Sequence, residues 1–292
     1  MGPAVPLTRR RSVLYMPGAN ERALAKARDL PADALILDLE DAVAPAAKRQ
    51  ARERVCAAVA SGAYGTREVA IRVNAIGTEW HDDDVRGAAA AGPDGILVPK
   101  VASAQDVRDT ERALEHADAP ERTRIWAMLE TPAAVVHAAE IAAASPRLAV
   151  LVMGTNDLAS ELFAELTPGR APLLGSLSTC IVAARSAGAA IIDGVYNDLR
   201  DLAGFEAECR QGRELGFDGK TLIHPVQLEP CNRVFTPSET EVAHARRVVQ
   251  AFAQAARAGA GVVTLDGRLI ENLHVRNAER ALALAGHPTT TA

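Results

Sequence analysis

The chain is 292 residues long, 48% hydrophobic but only 3% aromatic, with a formal net charge of −5. That length suits one α/β barrel of roughly 250 residues plus an extension, with a core built mainly from Ala, Val, Leu and Ile. The acidic balance argues against a general nucleic-acid binder, which needs a basic face, and no run approaches the ~20 apolar residues that span a bilayer.

In chain order, the first apolar run is Ser12-Val-Leu-Tyr-Met-Pro-Gly18. Because Pro17-Gly18 interrupts it, Arg9-Arg10-Arg11 is not followed by the long apolar segment of a twin-arginine signal. Asn20 caps a helix predicted over Glu21 to Asp29, with Glu21 in its first turn, where a carboxylate favours the helix dipole. Ala34-Leu-Ile-Leu-Asp38 follows, with Glu40 and Asp41 just beyond it. Pro45 suits a first helical position, and Lys48 to Ala60 places Val55 and Val59 on one face. Val69-Ala-Ile-Arg72 is the third run, and His81-Asp82-Asp83-Asp84 reads as a solvated acidic loop rather than a metal knot. Next come Gly95-Ile-Leu-Val-Pro-Lys100, Arg124-Ile-Trp-Ala-Met-Leu-Glu130, the run from Leu148 that leads to Asp157, and Ala190-Ile-Ile-Asp193. Leu202, Phe205 and Cys209 repeat at helical spacing until Gly216, and Thr221-Leu-Ile precedes His224.

Continuous apolar runs read as buried parallel strands, and their alternation with helices implies right-handed crossovers. Eight such units predict a closed (β/α)8 barrel over residues 1–235. Residues 236–292 are expected to form a helical extension, too small to fold alone, that packs on the barrel or on a neighbouring subunit. In it, Ser238 and Glu241 form a capping box. Val242, Ala245, Val249, Phe252 and Ala256 make an apolar stripe up to Gly259. A short tail from Gly261 to Glu271 leads to a last helix near Val275 to Ala285, and Gly286 to Ala292 is expected to fray. The four cysteines (Cys56, Cys180, Cys209, Cys231) form no CxxC pair, so neither a zinc site nor a disulfide framework is expected, and a reducing cytoplasm fits best.

Polar residues at the C-terminal ends of barrel strands project into the usual active site. Glu130 and Asp157, at the ends of the fifth and sixth runs, make a suitable Mg²⁺ site, since two carboxylates plus waters leave positions for substrate. The alternative is that each caps a following helix. Arg72 can grip a carboxylate in a bidentate way and stabilise a developing enolate, or pair structurally with Asp38, Glu40 or Asp41; an orienting acid allows both. Lys100 would need a desolvated pocket to form a Schiff base, so a lysine–carboxylate pair at the rim is the expected role. His224, before Pro225, reads as a structural histidine.

Arg11-Ser-Val-Leu-Tyr-Met-Pro-Gly18, Asp38-Leu-Glu-Asp-Ala-Val43, Arg72-Val-Asn74, Pro99-Lys-Val101 and Glu130-Thr-Pro132 occur in order. Gly154-Thr-Asn-Asp-Leu158, Asp193-Gly-Val-Tyr196 and Gly216-Phe-Asp-Gly-Lys-Thr-Leu-Ile-His-Pro225 follow. Together these eight motifs resemble the citrate lyase β-subunit-like branch of the HpcH/HpaI aldolase superfamily, which includes malyl-CoA and citramalyl-CoA lyases. The resemblance covers nearly the whole chain, from Arg11 to the last helix. It implies a Mg²⁺-dependent TIM barrel that cleaves or forms a 3-hydroxyacyl-CoA such as malyl-, citramalyl- or citryl-CoA, giving an acyl-CoA and a 2-oxo acid by retro-Claisen or Claisen chemistry. Glu130 and Asp157 match the family's metal ligands and Arg72 its substrate-binding arginine. Tyr15 and Lys26 match positions that contact the CoA ester in malyl-CoA lyase-like members. A homotrimer or hexamer is implied, with the C-terminal segment closing over a neighbour's site. Two positions depart from the pattern. Gly267-Arg-Leu-Ile-Glu271 stands where many members have Gly-x-Met-Ile-Asp, so the acid/base carboxylate falls to Glu271, one methylene further out. Asn20 stands where malyl-CoA lyases can show an arginine.

Thioester hydrolysis, a citrate lyase β subunit acting on an acyl carrier protein, and a non-catalytic scaffold barrel are the rival readings.

Overall fold

Eight parallel strands close on themselves: β1 Ser12–Pro17, β2 Ala34–Asp38, β3 Glu68–Arg72, β4 Gly95–Val98, β5 Arg124–Leu129, β6 Leu148–Met153, β7 Ala190–Asp193 and β8 Gly219–Leu222. The computed structural model describes residues 8–257 and 259–287. Each strand pairs with the next, and β1 closes on β8 through Ser12↔Lys220, Val13↔Thr221 and Leu14↔Leu222. The strands are almost entirely buried, as expected for parallel sheets covered by helices.

Side chains alternate across each strand, and the register decides which residues face the axis. Val13, Ala34, Ile36, Ala70, Leu97, Trp126, Met128, Val150, Val152 and Ile192 fill the barrel interior, with Tyr15 packed against them. Continuing that alternation to the C-terminal rim puts Asp38, Arg72, Glu130 and Gly154 on the inward side. Asp193 is out of phase with Ile192 and faces away from the axis. The expectation that every strand-end polar residue enters the rim therefore fails for Asp193.

The bottom of the barrel uses the basic triplet. Arg10 pairs with Glu68 (2.5 Å) and lies 5.6 Å from the Trp126 ring, while Arg11 pairs with Asp33 at 2.8 Å. Asn20 accepts from the Ala23 amide and starts the helix Glu21–Lys26, with a 3-10 turn over Ala27–Asp29 completing the predicted segment. The helix Leu202–Leu215 stops at Gly216, whose φ of 108° suits glycine. His81–Asp84 is not a solvated loop. It is the first turn of the helix His81–Ala91, and His81 and Asp84 are buried.

Arg10–Arg233 form one compact unit, and the described residues from Val234 onward belong to a second. In the second unit, Ser238 and Glu241 bond reciprocally ahead of the helix Glu239–Arg257. Val242, Ala245 and Val248 of this helix pack with Ile270, Ala278 and Leu282. Between Gly261 and Glu271 the chain forms an antiparallel hairpin, β9 Val263–Leu265 and β10 Arg268–Ile270, rather than a plain tail. Its two-residue turn, Asp266-Gly267, has φ of 50° and 74°, the primed geometry that Asp-Gly favours. The last helix begins at Asn272, earlier than its apolar repeat suggests, and ends at Leu284. The expected fraying lies, from residue 288 onward, outside the described residues. No described helix is long and apolar enough to cross a membrane, and the four cysteines are free thiols.

Candidate active site

Residues of the first unit enclose a cavity of about 440 Å³. Tyr15, Asp38, Asp41, Arg72, Met128, Met153, Gly154 and Asp157 are among those that line it. Glu130 sits directly behind Gly154, where any side chain would collide with its Cβ and Oε2. Glycine at this position is what leaves room for the glutamate.

Arg72 is held from three sides. Its Nε and Nη2 donate to the two oxygens of Asp38 at 2.6 and 2.7 Å, and Nη1 donates to Asp41 at 3.4 Å. Its guanidinium lies 5.0 Å from the Tyr15 ring centre. Glu40 Oε2 is 2.7 Å from Nη1 but is not aligned as a hydrogen bond, so that oxygen is buried without a hydrogen-bonding partner. Asp38 also fixes the turn after β2 by accepting from the Glu40 and Ala42 amides. Three of the five guanidinium N–H groups are thus committed, and the others remain to meet Glu40 and a ligand.

Burial pushes the Glu130 carboxyl up to about 8; the Lys100 amide, which donates to Oε1 at 2.7 Å, opposes this, and the charge of Asp157 adds to it. Burial likewise raises Glu40 to about 7, with Arg72 opposing and Asp41 and Asp38 reinforcing. Tyr15 is pushed well above its usual range, chiefly by burial, and its hydroxyl has no hydrogen-bonding partner. Unpaired buried polar atoms are uncommon in native structures. Two of the four found among the described residues lie in this one site.

Asp157 is not at the end of β6 but four residues further on, half-buried in the first turn of the helix Thr155–Glu161. Glu130 caps nothing: Thr131 is the N-cap of the next helix, accepting from the Ala134 amide at 3.1 Å. Lys100 has a half-exposed side chain with Nζ 3.8 Å from Glu40, which is not the desolvated pocket of a Schiff-base lysine. His224 caps the turn Pro225–Gln227 through Nδ1. Lys26 is exposed in the last turn of the helix Glu21–Lys26 and does not line the cavity. Glu271 belongs to the second unit as the N-cap of Asn272–Leu284, and its amide donates to His274 Nδ1 at 3.1 Å.

Five carboxylates (Asp38, Glu40, Asp41, Glu130, Asp157) face two cationic side chains, Arg72 and Lys100, so the site carries surplus negative charge. No group of three or more His, Cys, Asp or Glu forms a closed metal cluster among the described residues. What remains is two oxygen donors, Glu130 and Asp157, in an acidic, partly open setting. This donor set fits a hard cation that keeps several waters, as Mg²⁺ does.

Sequence reading missed Lys48, Asn74 and Asp84. The Asp84 carboxylate is buried and accepts from the Asn74 amide and from Arg52. Asn74 Nδ2 and Lys48 Nζ both reach the Leu39 carbonyl. No spacing in the chain announces these contacts, because they join the strand–helix connection after β2 to the one after β3, more than 30 residues apart in the chain.

The family described as HpcH/HpaI aldolase/citrate lyase matches residues 11–225. A (3S)-malyl-CoA thioesterase of Cereibacter sphaeroides is 50% identical over 275 residues, 94% of each chain. A citrate lyase subunit beta of Escherichia coli is 39% identical over 281 residues, 94% of this chain and 93% of that one. The protein CitE from Mycobacterium tuberculosis, crystallised with magnesium, acetoacetate and coenzyme A, is 30% identical with a TM-score of 0.74, covering 94% of this chain and 98% of that one.

Proposed function

Since the chain belongs to the HpcH/HpaI aldolase/citrate lyase family, we propose that it is a Mg²⁺-dependent carbon–carbon lyase acting on a 3-hydroxyacyl-CoA of the malyl or citramalyl type. The observation that carries this reading is the acidic rim, with Glu130 and Asp157 beside an Arg72 that still has N–H groups to offer. Their carboxylates would hold the metal, which when bound supplies Lewis acidity to the substrate's hydroxyl and carboxylate oxygens. Arg72, set by Asp38 and backed by Tyr15, stabilises negative charge on the 2-oxo acid side. The hydroxyl proton passes to solvent water, the hydroxyl carbon becomes the carbonyl of the 2-oxo acid, and the bond from that carbon to the carbon α to the thioester breaks. The electron pair passes into the acyl-CoA enolate, and Glu271 protonates the α-carbon, a role that rests on the resemblance alone. Tyr15 and Lys26 contribute to holding the CoA ester on the same ground. A cytoplasmic homotrimer or hexamer completes the proposal.

Arg72 is the one Lys, Arg or His among the residues lining the cavity, and it already faces three carboxylates. A citryl ester brings one more carboxylate, and no lining residue offers a second cation to meet it, which supports the smaller malyl and citramalyl esters. The identity to malyl-CoA thioesterases favours a second reading, in which water takes the thioester and releases malate and free CoA.

One assay separates these readings. Malyl-CoA with Mg²⁺ yields glyoxylate and acetyl-CoA if the chain is a lyase, and malate with a free thiol if it is a thioesterase. Turnover that survives complete Mg²⁺ removal, or full activity in Glu130→Gln, would sink the metal assignment.

A further inference from the structure

A buried lysine near this site takes no part in the chemistry just described. Lys48, the first residue of the helix Lys48–Ala60, is only 6% exposed. Its ammonium donates to the backbone carbonyls of Leu39 (2.8 Å) and Glu40 (2.7 Å) and lies 5.3 Å from the Trp80 ring centre. Among the described residues, no salt bridge to a carboxylate accompanies these bonds. A buried cation is costly unless its hydrogen bonds offset the lost hydration, and burial lowers the pKa of Lys48, with Asp38 and Glu40 opposing. A neutral side chain of similar length would fill the same space without that cost, so a structural filler does not need this charge.

The charge falls on the short turn that carries the acids around Arg72. The amides of that turn are held by Asp38, through Glu40 and Ala42. Its carbonyls are bridged by Lys48, the one donor that reaches both, with Asn74 Nδ2 sharing the Leu39 oxygen at 3.1 Å and the Val43 amide the Glu40 oxygen at 3.0 Å. Both polar edges of the turn are therefore pinned, one by a rim carboxylate and the other by Lys48. The turn in turn sets Glu40 against Arg72 and Lys100. We propose that Lys48 is a positioning residue: it locks the Leu39–Asp41 turn so that Glu40 and Asp38 hold the Arg72 guanidinium in its working orientation. It never touches substrate. This inference rests on the lyase or thioesterase reading of the site, since it assigns Lys48 an effect on turnover.

Steady-state kinetics with malyl-CoA and Mg²⁺ on wild type, Lys48→Met and Lys48→Arg, alongside thermal melting and crystal structures of both variants, test it. Lys48→Met should lose about 10- to 100-fold in kcat, by analogy with the cost of removing groups that orient metal ligands. The KM for malyl-CoA and the Mg²⁺ requirement should stay within about threefold, and the Leu39–Asp41 turn should be displaced. Lys48→Arg, which keeps a charged donor, should recover a substantial part of kcat and fold even where the methionine variant does not. Unchanged kcat per folded molecule in both variants, or an undisplaced turn, overturns the proposal. An inactive wild type refutes the functional reading instead, while the turn geometry in the variant crystals still decides the role of Lys48.

Discussion

Two clusters of cations and carboxylates, one buried and one partly open, sit on opposite faces of the same barrel sheet, and they differ in balance. On the outward face, Arg170 and Lys220 meet Asp193 and Glu208, two charges of each sign. Arg170 reaches Asp193 at 2.7 Å, and Lys220 reaches Glu208 at 2.7 Å and Asp193 at 3.2 Å. Burial would raise the Asp193 carboxyl, but Lys220 and Arg170 outweigh it and hold it below the usual range. On the inward face, burial and neighbouring carboxylates push Glu40 to about 7 and Glu130 to about 8. A balanced cluster of this kind serves the fold. An unbalanced one, open to a cavity, is poised for a cation and a substrate from outside.

The largest expected effect comes from breaking the balanced cluster. Lys220→Met leaves Asp193 and Glu208 short of a buried cation and should cost about 3–5 kcal/mol in denaturant unfolding, the range for orphaning a buried charge. In wild type, the depressed Asp193 lends stability that is present above its unfolded value of about 3.9 and drains as pH falls through its lower folded value. An acid titration of the melting temperature that stays flat below pH 4 would contradict this assignment.

Breaking the unbalanced cluster should act mainly on turnover. Glu130→Gln should reduce kcat by at least about 100-fold, comparable to losing one preorganised electrostatic group, while the protein stays folded. Mg²⁺ should stabilise the wild type through binding linkage, by up to about 3 kcal/mol at 100 times its dissociation constant, and so raise its melting temperature. Asp157→Asn should abolish most of that rise.

Glu40→Gln sharpens the contrast at a smaller scale. The folded value of Glu40 lies above its unfolded one, so its penalty is absent below about pH 4, grows as pH rises towards 7, and then levels off. In metal-free protein the substitution should be near neutral at pH 4 and stabilising by about 1–2 kcal/mol at pH 8, with lower turnover. A stability gain that does not depend on pH would remove the charge argument. The smallest effect expected is that of Lys26→Ala: as an exposed residue it should raise the KM for the CoA ester by only a few-fold, about 1 kcal/mol or less.

Eight strands were legible because each is a short, continuous apolar run, and parallel strands covered on both faces leave no other pattern. Arg72, Glu130 and the acidic group at Asp38 were legible for the same reason: they interrupt apolar runs at their C-terminal ends. Asp193 carried the same mark and belongs elsewhere, because facing in or out depends on the phase of each strand, which pairing register sets. The hairpin over Val263–Ile270 had its signal in Asp266-Gly267, but strands of three residues are too short for their alternation to stand out from a tail.

The order of apolar runs, caps and stops in the chain determined the closed barrel and the family, since those depend on local periodicity and on motifs a few residues long. Only the tertiary structure decided that Asp157 approaches Glu130 from a helix, that Asp84 is buried, and that Lys48 grips the turn after β2. Those outcomes depend on distances between segments far apart in sequence, and on how many unlike charges share one desolvated space.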